Sequence, residues 1–337
     1  MRAASCGYSG SRSGSRRKPD VWEDRGCGNA NGDQTGGGTV PLLHINGVET
    51  HYHLQGRGRA LVLLHPPCMG SRVFTYLRND LAQDHRVLAF DFRGHGRSAS
   101  SRERITIPVL AEDVRLLLDE LELSQAYLVS YSSASLVALE AMLAYPDRFR
   151  GAAMLSGVSE LTDRRRRLEA QAMKLAASFK AKELLALAGG WRHADNAEAF
   201  HRLRAETKAG DPDKWKEYLS ACLDCRATER LGRIGKPALL LFGENDRKAA
   251  PDAKMLQRGL GRASTAWIPG ADERLPIHSS GACAQLIRDW IAALEEGPRP
   301  VAARIGEDGF RSETYGIGFD PDEPADEEDN STFKDYR

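Results

Sequence analysis

A mostly parallel, twisted α/β sheet with helices on both faces and an inserted run of helices is the fold class this sequence predicts, on three observations. Short apolar runs alternate with segments of helical period, the mark of strands joined by crossover helices. The runs are continuous rather than alternating in polarity, as strands buried on both faces require. Between about residues 159 and 233 the alternation stops, and the chain is helical in pattern with no strand.

The first element, Leu42 to Gln55, places an Asn46-Gly47 pair between two strand-like runs and reads as an antiparallel hairpin. Buried strands are then expected at Ala60–Leu64, Val87–Phe90, Ala126–Val129, Ala152–Leu155, Ala238–Phe242 and Thr265–Ile268. In the strandless stretch, Leu168, Ala172, Leu175 and Phe179 recur at helical spacing beside a charged face, which predicts an amphipathic helix. The run Arg164 to Arg167 on that helix reads as a solvated face.

This divides the chain into five parts. Residues 1–40 are rich in Gly, Ser, Arg and Asn and are expected to be a disordered tail. Residues 41–158 and 234–296 form the two parts of the sheet domain, and residues 159–233 form a helical cap. Residues 297–337 pass through a Gly-Pro-Arg-Pro linker into an acidic tail containing Asp326, Glu327, Glu328 and Asp329, also expected to be disordered.

The 337 residues are 41% hydrophobic, enough to bury a sizeable core, and their formal net charge is zero. A neutral chain lacks the basic footprint of a nucleic-acid binder and gives no reason to expect capture by anionic membranes. The first residues contain no apolar signal core, and no apolar stretch is long enough to span a bilayer, so a cytoplasmic address is expected. Six cysteines in a chain this long make no disulfide framework. Cys222-x-x-Cys225 has the spacing of half a zinc site, but with no second pair it reads as two small residues on one helix face. No metal and no cofactor are expected.

Chemistry concentrates in a few loops. Ser132, within Ser130-Tyr131-Ser132-Ser133-Ala134, lies between an apolar strand and an Ala/Leu-rich helix, where a sharp turn would lift its hydroxyl above the sheet. The helix N-terminus behind it favours developing negative charge. The run from Asp91 to Ser98 follows a strand with glycines at 94 and 96, and reads as a braced turn. Leu64-His65-Pro66-Pro67 follows the first parallel strand, and Gly243-Glu244-Asn245-Asp246 follows a later one.

In this order the motifs resemble those of the α/β-hydrolase superfamily, over roughly Leu42 to Glu295. The family's nucleophile elbow G-x-S-x-G is matched with both glycines replaced by small residues. Its D-x-R-G-x-G-x-S loop is matched from Asp91 to Ser98. The resemblance implies Ser132 as nucleophile and Asp246 as the acid that orients a histidine. It implies the Ser133 N–H as one oxyanion donor. Pro67 has no N–H to serve as the other, which leaves Cys68 as the substitute.

The family's histidine loop, G-x-x-H, reads here Gly270-Ala271-Asp272-Glu273, so Glu273 stands in the base position. His278 would serve only if its loop folded back, and His193 and His201 in the cap read as polar surface residues. A glutamate is a weak base towards a serine hydroxyl. The resemblance therefore implies a small-molecule ligand under the cap and two main readings. One is a serine hydrolase of a small ester or amide with weakened or altered chemistry. The other is a non-catalytic binding protein, and a lyase on the same fold is a third.

Overall fold

The computed structural model describes residues 42–296; the expected tails, 1–40 and 297–337, lie outside the described residues. Among the described residues eight strands form one sheet in the order β1-β2-β4-β3-β5-β6-β7-β8. They are β1 (Leu42–Ile45), β2 (Val48–Gln55), β3 (Ala60–Leu64), β4 (Arg86–Phe90), β5 (Ala126–Tyr131), β6 (Phe149–Leu155), β7 (Ala238–Gly243) and β8 (Ala263–Ile268). β1 pairs with β2, and β2 with β4, antiparallel. All later pairings are parallel. The hairpin forms where its turn chemistry predicts, with Asn46 and Gly47 both left-handed at φ 48° and 75°.

The sheet is covered on both faces by α1 (Thr75–Leu81), α2 (Ile107–Glu120), α3 (Ser135–Ala144), α8 (Ala249–Gly259), α9 (Leu275–His278) and α10 (Ser280–Glu296). The strandless stretch between β6 and β7 holds α4 (Arg164–Ser178), α5 (Lys182–His193), α6 (Ala197–Ala209) and α7 (Pro212–Asp224). Asp163, Asn196 and Asp211 cap three of these through side-chain oxygens. β3 and β5 are buried along their whole length, which is why Ala60–Leu64 and Ala126–Val129 read as unbroken apolar runs. No helix among the described residues is long and apolar enough to cross a membrane.

The braced turn after β4 holds two ends of the fold together. Asp91 accepts hydrogen bonds from the backbone N–H of Ser71 (2.7 Å) and of Arg97 (2.9 Å), and pairs with His51 Nδ1 at 2.9 Å. Burial alone would raise its pKa, but these donors outweigh it and hold the carboxyl well below the usual range. Gly96 sits at φ 50° against this carboxylate, and a Cβ there would meet Asp91 Oδ2 at 2.3 Å. Only glycine closes this turn.

The inserted helices are anchored by polar contacts as well as by the buried Trp215 and Tyr218 of α7. Glu206 of α6, 5% exposed, accepts the Arg72 N–H with both carboxyl oxygens at 3.2 Å. Burial, helped by the nearby Asp91 carboxylate, pushes the Glu206 carboxyl well above its ordinary value, so the folded protein keeps a proton that the unfolded chain releases. With the folded pKa raised, this group's stabilising contribution is complete below about pH 4 and is lost as pH rises through the folded value. Glu206→Gln keeps an acceptor and cannot ionise. It is expected to raise the melting temperature at pH 8 by about 2–4 °C per kcal/mol relieved, with the gain shrinking towards pH 5. A difference independent of pH in thermal melts would contradict this account.

Candidate active site

The carboxyl ends of the central strands point to one edge of the sheet, where open α/β sheets place their ligands. The loops after β3, β5, β6, β7 and β8 meet there beneath α4 and α5 and enclose a cavity of about 420 Å³. Every residue singled out from sequence for a role in the chemistry lines it: Cys68, Ser132, Ser133, Asp246 and Glu273.

Ser132 ends β5 and begins a one-turn 3₁₀ segment, Ser132–Ala134, that runs into α3. Its φ of 52° is left-handed, the conformation an elbow needs, and it is held without the flanking glycines. Ser130 and Ala134, which replace them, are both fully buried. The Ser130 hydroxyl finds no partner among the described residues, a cost the glycine would not carry. Ser135 ties the turn to the loop after β6: its hydroxyl donates to Val158 O (2.6 Å) and accepts from the Val158 N–H (2.8 Å).

Left-handed φ recurs around the cavity. Among the described residues six non-glycine residues adopt it, and three of them, Cys68 (62°), Ser132 (52°) and Ser156 (47°), line this space. Such strain persists only where surrounding structure imposes it, and it concentrates at functional sites. Cys68 follows Pro67 in the loop after β3, and its carbonyl accepts a hydrogen bond from Thr207 at 3.2 Å. Burial pushes its thiol far above the ordinary range, so the side chain is a neutral wall and not a thiolate. Cys222 lines the same wall, and burial likewise raises its thiol, the Ser133 side chain offsetting this in part. With Cys225 it forms no metal cluster among the described residues.

The two carboxylates meet arginines from the inserted helices. Asp246 is 6% exposed; its Oδ1 accepts the Lys248 N–H at 3.0 Å, and its Oδ2 lies 3.6 Å from Arg166 of α4. That separation is too long for a hydrogen bond, and Oδ2 has no other partner among the described residues. Arg166 also pairs with Asp252 of α8. Glu273 turns its carboxylate to Arg192 of α5 at 2.9 Å, while its carbonyl accepts the Ser156 hydroxyl at 3.3 Å. Glu169 extends the network between Lys248 (3.2 Å) and Arg192 (3.9 Å). Among the described residues, no side chain hydrogen-bonds the Ser132 hydroxyl.

Two expectations are corrected here. The Arg164–Arg167 run is solvated only in its first half. Arg166 reaches Asp246 and Asp252, and Arg167 donates to the carbonyls of Leu161 and Leu223. His193, expected on the surface, is 9% exposed and lines the cavity with its Nδ1 3.5 Å from the Tyr131 hydroxyl. Burial, with the Arg192 and Arg274 charges, pulls its pKa down to about 3 and keeps it neutral. His201 and His278 are exposed, and neither borders the cavity. Arg166 and His193 were read as surface residues and Arg192 was not singled out, because no motif marks any of them as part of a site and only packing of the insertion brings them to the strand ends.

The remaining wall is apolar, with Met69, Val158, Leu161, Met173, Leu185 and Leu219 facing the polar floor. The arrangement offers the Ser132 hydroxyl on a turn of left-handed φ and an apolar chamber for the rest of a ligand.

Comparison with known proteins agrees with this architecture. A family model described as the alpha/beta hydrolase fold matches residues 59–224. A pimeloyl-[acyl-carrier protein] methyl ester esterase from Nitrosospira multiformis is 30% identical over 225 residues, 61% of this chain and 84% of that protein. A shorter match, 28% identical over 108 residues, covers 32% of this chain and 40% of the uncharacterized hydrolase YraK of Bacillus subtilis. Among solved structures, the enol-lactonase from Burkholderia xenovorans LB400 superposes with a TM-score of 0.66 at 20% identity, covering 75% of this chain and all of that one.

Proposed function

The chain belongs to the α/β-hydrolase superfamily, and from that premise we propose that it is a slow serine hydrolase of small esters or amides with an apolar acyl group. The observation that carries the reading is the left-handed φ of 52° at Ser132, kept on a turn that lacks both glycines and opens into the cavity. Strain of this kind is dispensable in a scaffold and useful for presenting a nucleophile.

In this reading the Ser132 oxygen bonds to the substrate carbonyl carbon and its proton passes to Glu273. The oxyanion is held by the N–H groups of Ser133 and Cys68, the alcohol or amine leaves with the proton, and water cleaves the acyl-serine. The four inserted helices serve as the cap, about residues 159–233, and their apolar inner wall takes the acyl group. Turnover is slow because Glu273 is engaged by Arg192 and is a poor base, while the His193 imidazole, pulled to about 3, has little proton affinity. Without a positioned base, a rate about 10² to 10⁴ below that of an intact triad is expected.

Labelling with a fluorophosphonate tests this. The wild-type protein is expected to gain one covalent adduct mapping to Ser132 by mass spectrometry, and Ser132→Ala none. Equal, background labelling of both would remove the hydrolase reading. A second reading, ligand binding without turnover, is favoured by one specific observation: the carboxylates in the acid and base positions each face an arginine of the insertion, Arg166 and Arg192. It predicts ligand retention in Ser132→Ala and no adduct in the wild type.

A further inference from the structure

The amphipathic pattern of α4 is real, but its apolar stripe points outward. Leu168, Leu175 and Phe179 are 66%, 59% and 77% exposed, while the inward face is made by Ala170 and Ala177. α5 repeats the arrangement, with Leu184, Leu187 and Trp191 exposed at 61%, 42% and 75%. Six large apolar side chains in the open on two adjacent helices exceed the scattered exposure ordinary for a surface. Both stripes reach the cavity: Ala172 and Ala188, exposed members of the same faces, line it.

The charge around these stripes is one-sided. Between Arg164 and His193 the sequence has eight Lys and Arg against two Glu, in a chain whose formal net charge is zero. Both glutamates are engaged, Glu169 with Lys248 and Arg192, Glu183 with Arg204 and Lys208. Arg166, Arg167 and Arg192 are turned to protein partners. Arg164, Arg165, Lys174 and Lys180 make no ion pair among the described residues, and all but Lys174 are exposed. The neutral whole-chain balance therefore conceals a basic, apolar face.

We propose that the outer face of α4 and α5 docks peripherally on an anionic lipid surface, which sets the cavity entrance against the bilayer. Helices that lie in a membrane interface combine Leu, Phe and Trp on one side with Lys and Arg beside them, as these do. A second copy of the chain would bring like charges together across the contact, whereas anionic headgroups complement them. Docking at this face is independent of whether Ser132 turns over, so it stands or falls apart from the hydrolase reading. It would admit amphiphilic ligands directly from the lipid phase into the apolar chamber.

Co-sedimentation of the full-length chain with phosphatidylcholine vesicles, with and without phosphatidylserine, tests the proposal. Binding is expected only with phosphatidylserine, and should weaken steeply with salt. A cation near such a surface is worth about fivefold in affinity, so Lys174→Gln with Lys180→Gln should weaken binding roughly 25-fold. Phe179→Ser with Trp191→Ser should lower it at least as much. These positions are exposed or at the surface, and circular dichroism melts would show whether the variants keep their fold. Three results would overturn the proposal: no sedimentation with either vesicle, binding indifferent to phosphatidylserine, or self-association lost in the Phe179 and Trp191 variant without vesicle binding, which would assign the face to a second copy.

Discussion

Asp113→Ala is expected to lower the melting temperature by roughly 6–20 °C. The Arg93 side chain is 1% exposed, and Asp113 at 7% exposure meets it with two oxygens, at 2.7 Å on Nε and 2.5 Å on Nη2. Asn46 of the first hairpin adds a hydrogen bond to the same carboxylate at 2.8 Å. Removing Asp113 leaves a buried guanidinium whose other acidic partner, Glu103, is 54% exposed and screened by water. Stranding one partner of a buried pair costs about 3–5 kcal/mol, and domains of this size lose about 2–4 °C per kcal/mol. Arg202→Ala, which removes a pair with Glu198 at the surface, is the control and should change stability by less than about 1 kcal/mol. Equal shifts for the two variants in thermal melts would show that burial does not decide the strength of the Arg93 pair.

The contrast between these arginines shows which parts of the molecule could be read in advance. Arg93 sits in a motif whose glycines, at φ 68° and 50°, and whose aspartate have local reasons to be where they are, so the sequence marks the turn as structural. The strands were legible for a similar reason: a parallel strand buried on both faces is expected to be apolar, and β3 and β7 are, as is β5 up to Val129. The elbow serine and the acid loop follow from strand ends and chain order, and five residues chosen from sequence share one cavity.

The insertion was legible as helices and not as surfaces. An apolar stripe at Leu168, Leu175 and Phe179 gives a helix its period but not the direction it faces. α4 instead packs through Ala170 and Ala177, small residues that permit close approach and carry little hydrophobic signal. Turning the helix this way sends Arg166 inward to Asp246, so one rotation about the helix axis underlies both the misread arginine run and the exposed stripe. His193 is the same case. A lone histidine at the end of α5 has no pattern around it, and its burial against Tyr131 is decided by tertiary packing alone.

Glu273→His is expected to raise Ser132-dependent hydrolysis of nitrophenyl acetate by about 10². The substitution puts an imidazole in the loop after β8, on the same cavity as Ser132 and Asp246. Asp246 Oδ2 is buried without a hydrogen-bond partner, and an imidazole N–H is a donor suited to it. The opposing influence is Arg192, which loses its 2.9 Å partner when Glu273 is replaced and would depress the new imidazole's pKa by charge repulsion. Glu273→His combined with Arg192→Gln should therefore exceed Glu273→His alone, and its rate should rise with pH through the ordinary histidine value of about 6.5, as a general base requires. General-base assistance is worth about 10² to 10⁴ where geometry is good, and in the proposed mechanism the lack of an N–H at Pro67 sets this case at the lower end. Adding Ser132→Ala must abolish the gain, since an imidazole can also hydrolyse an activated ester directly. A folded Glu273→His, Arg192→Gln protein with no serine-dependent increase would mean that the base is not the only element missing, and would favour ligand binding as the role of this cavity.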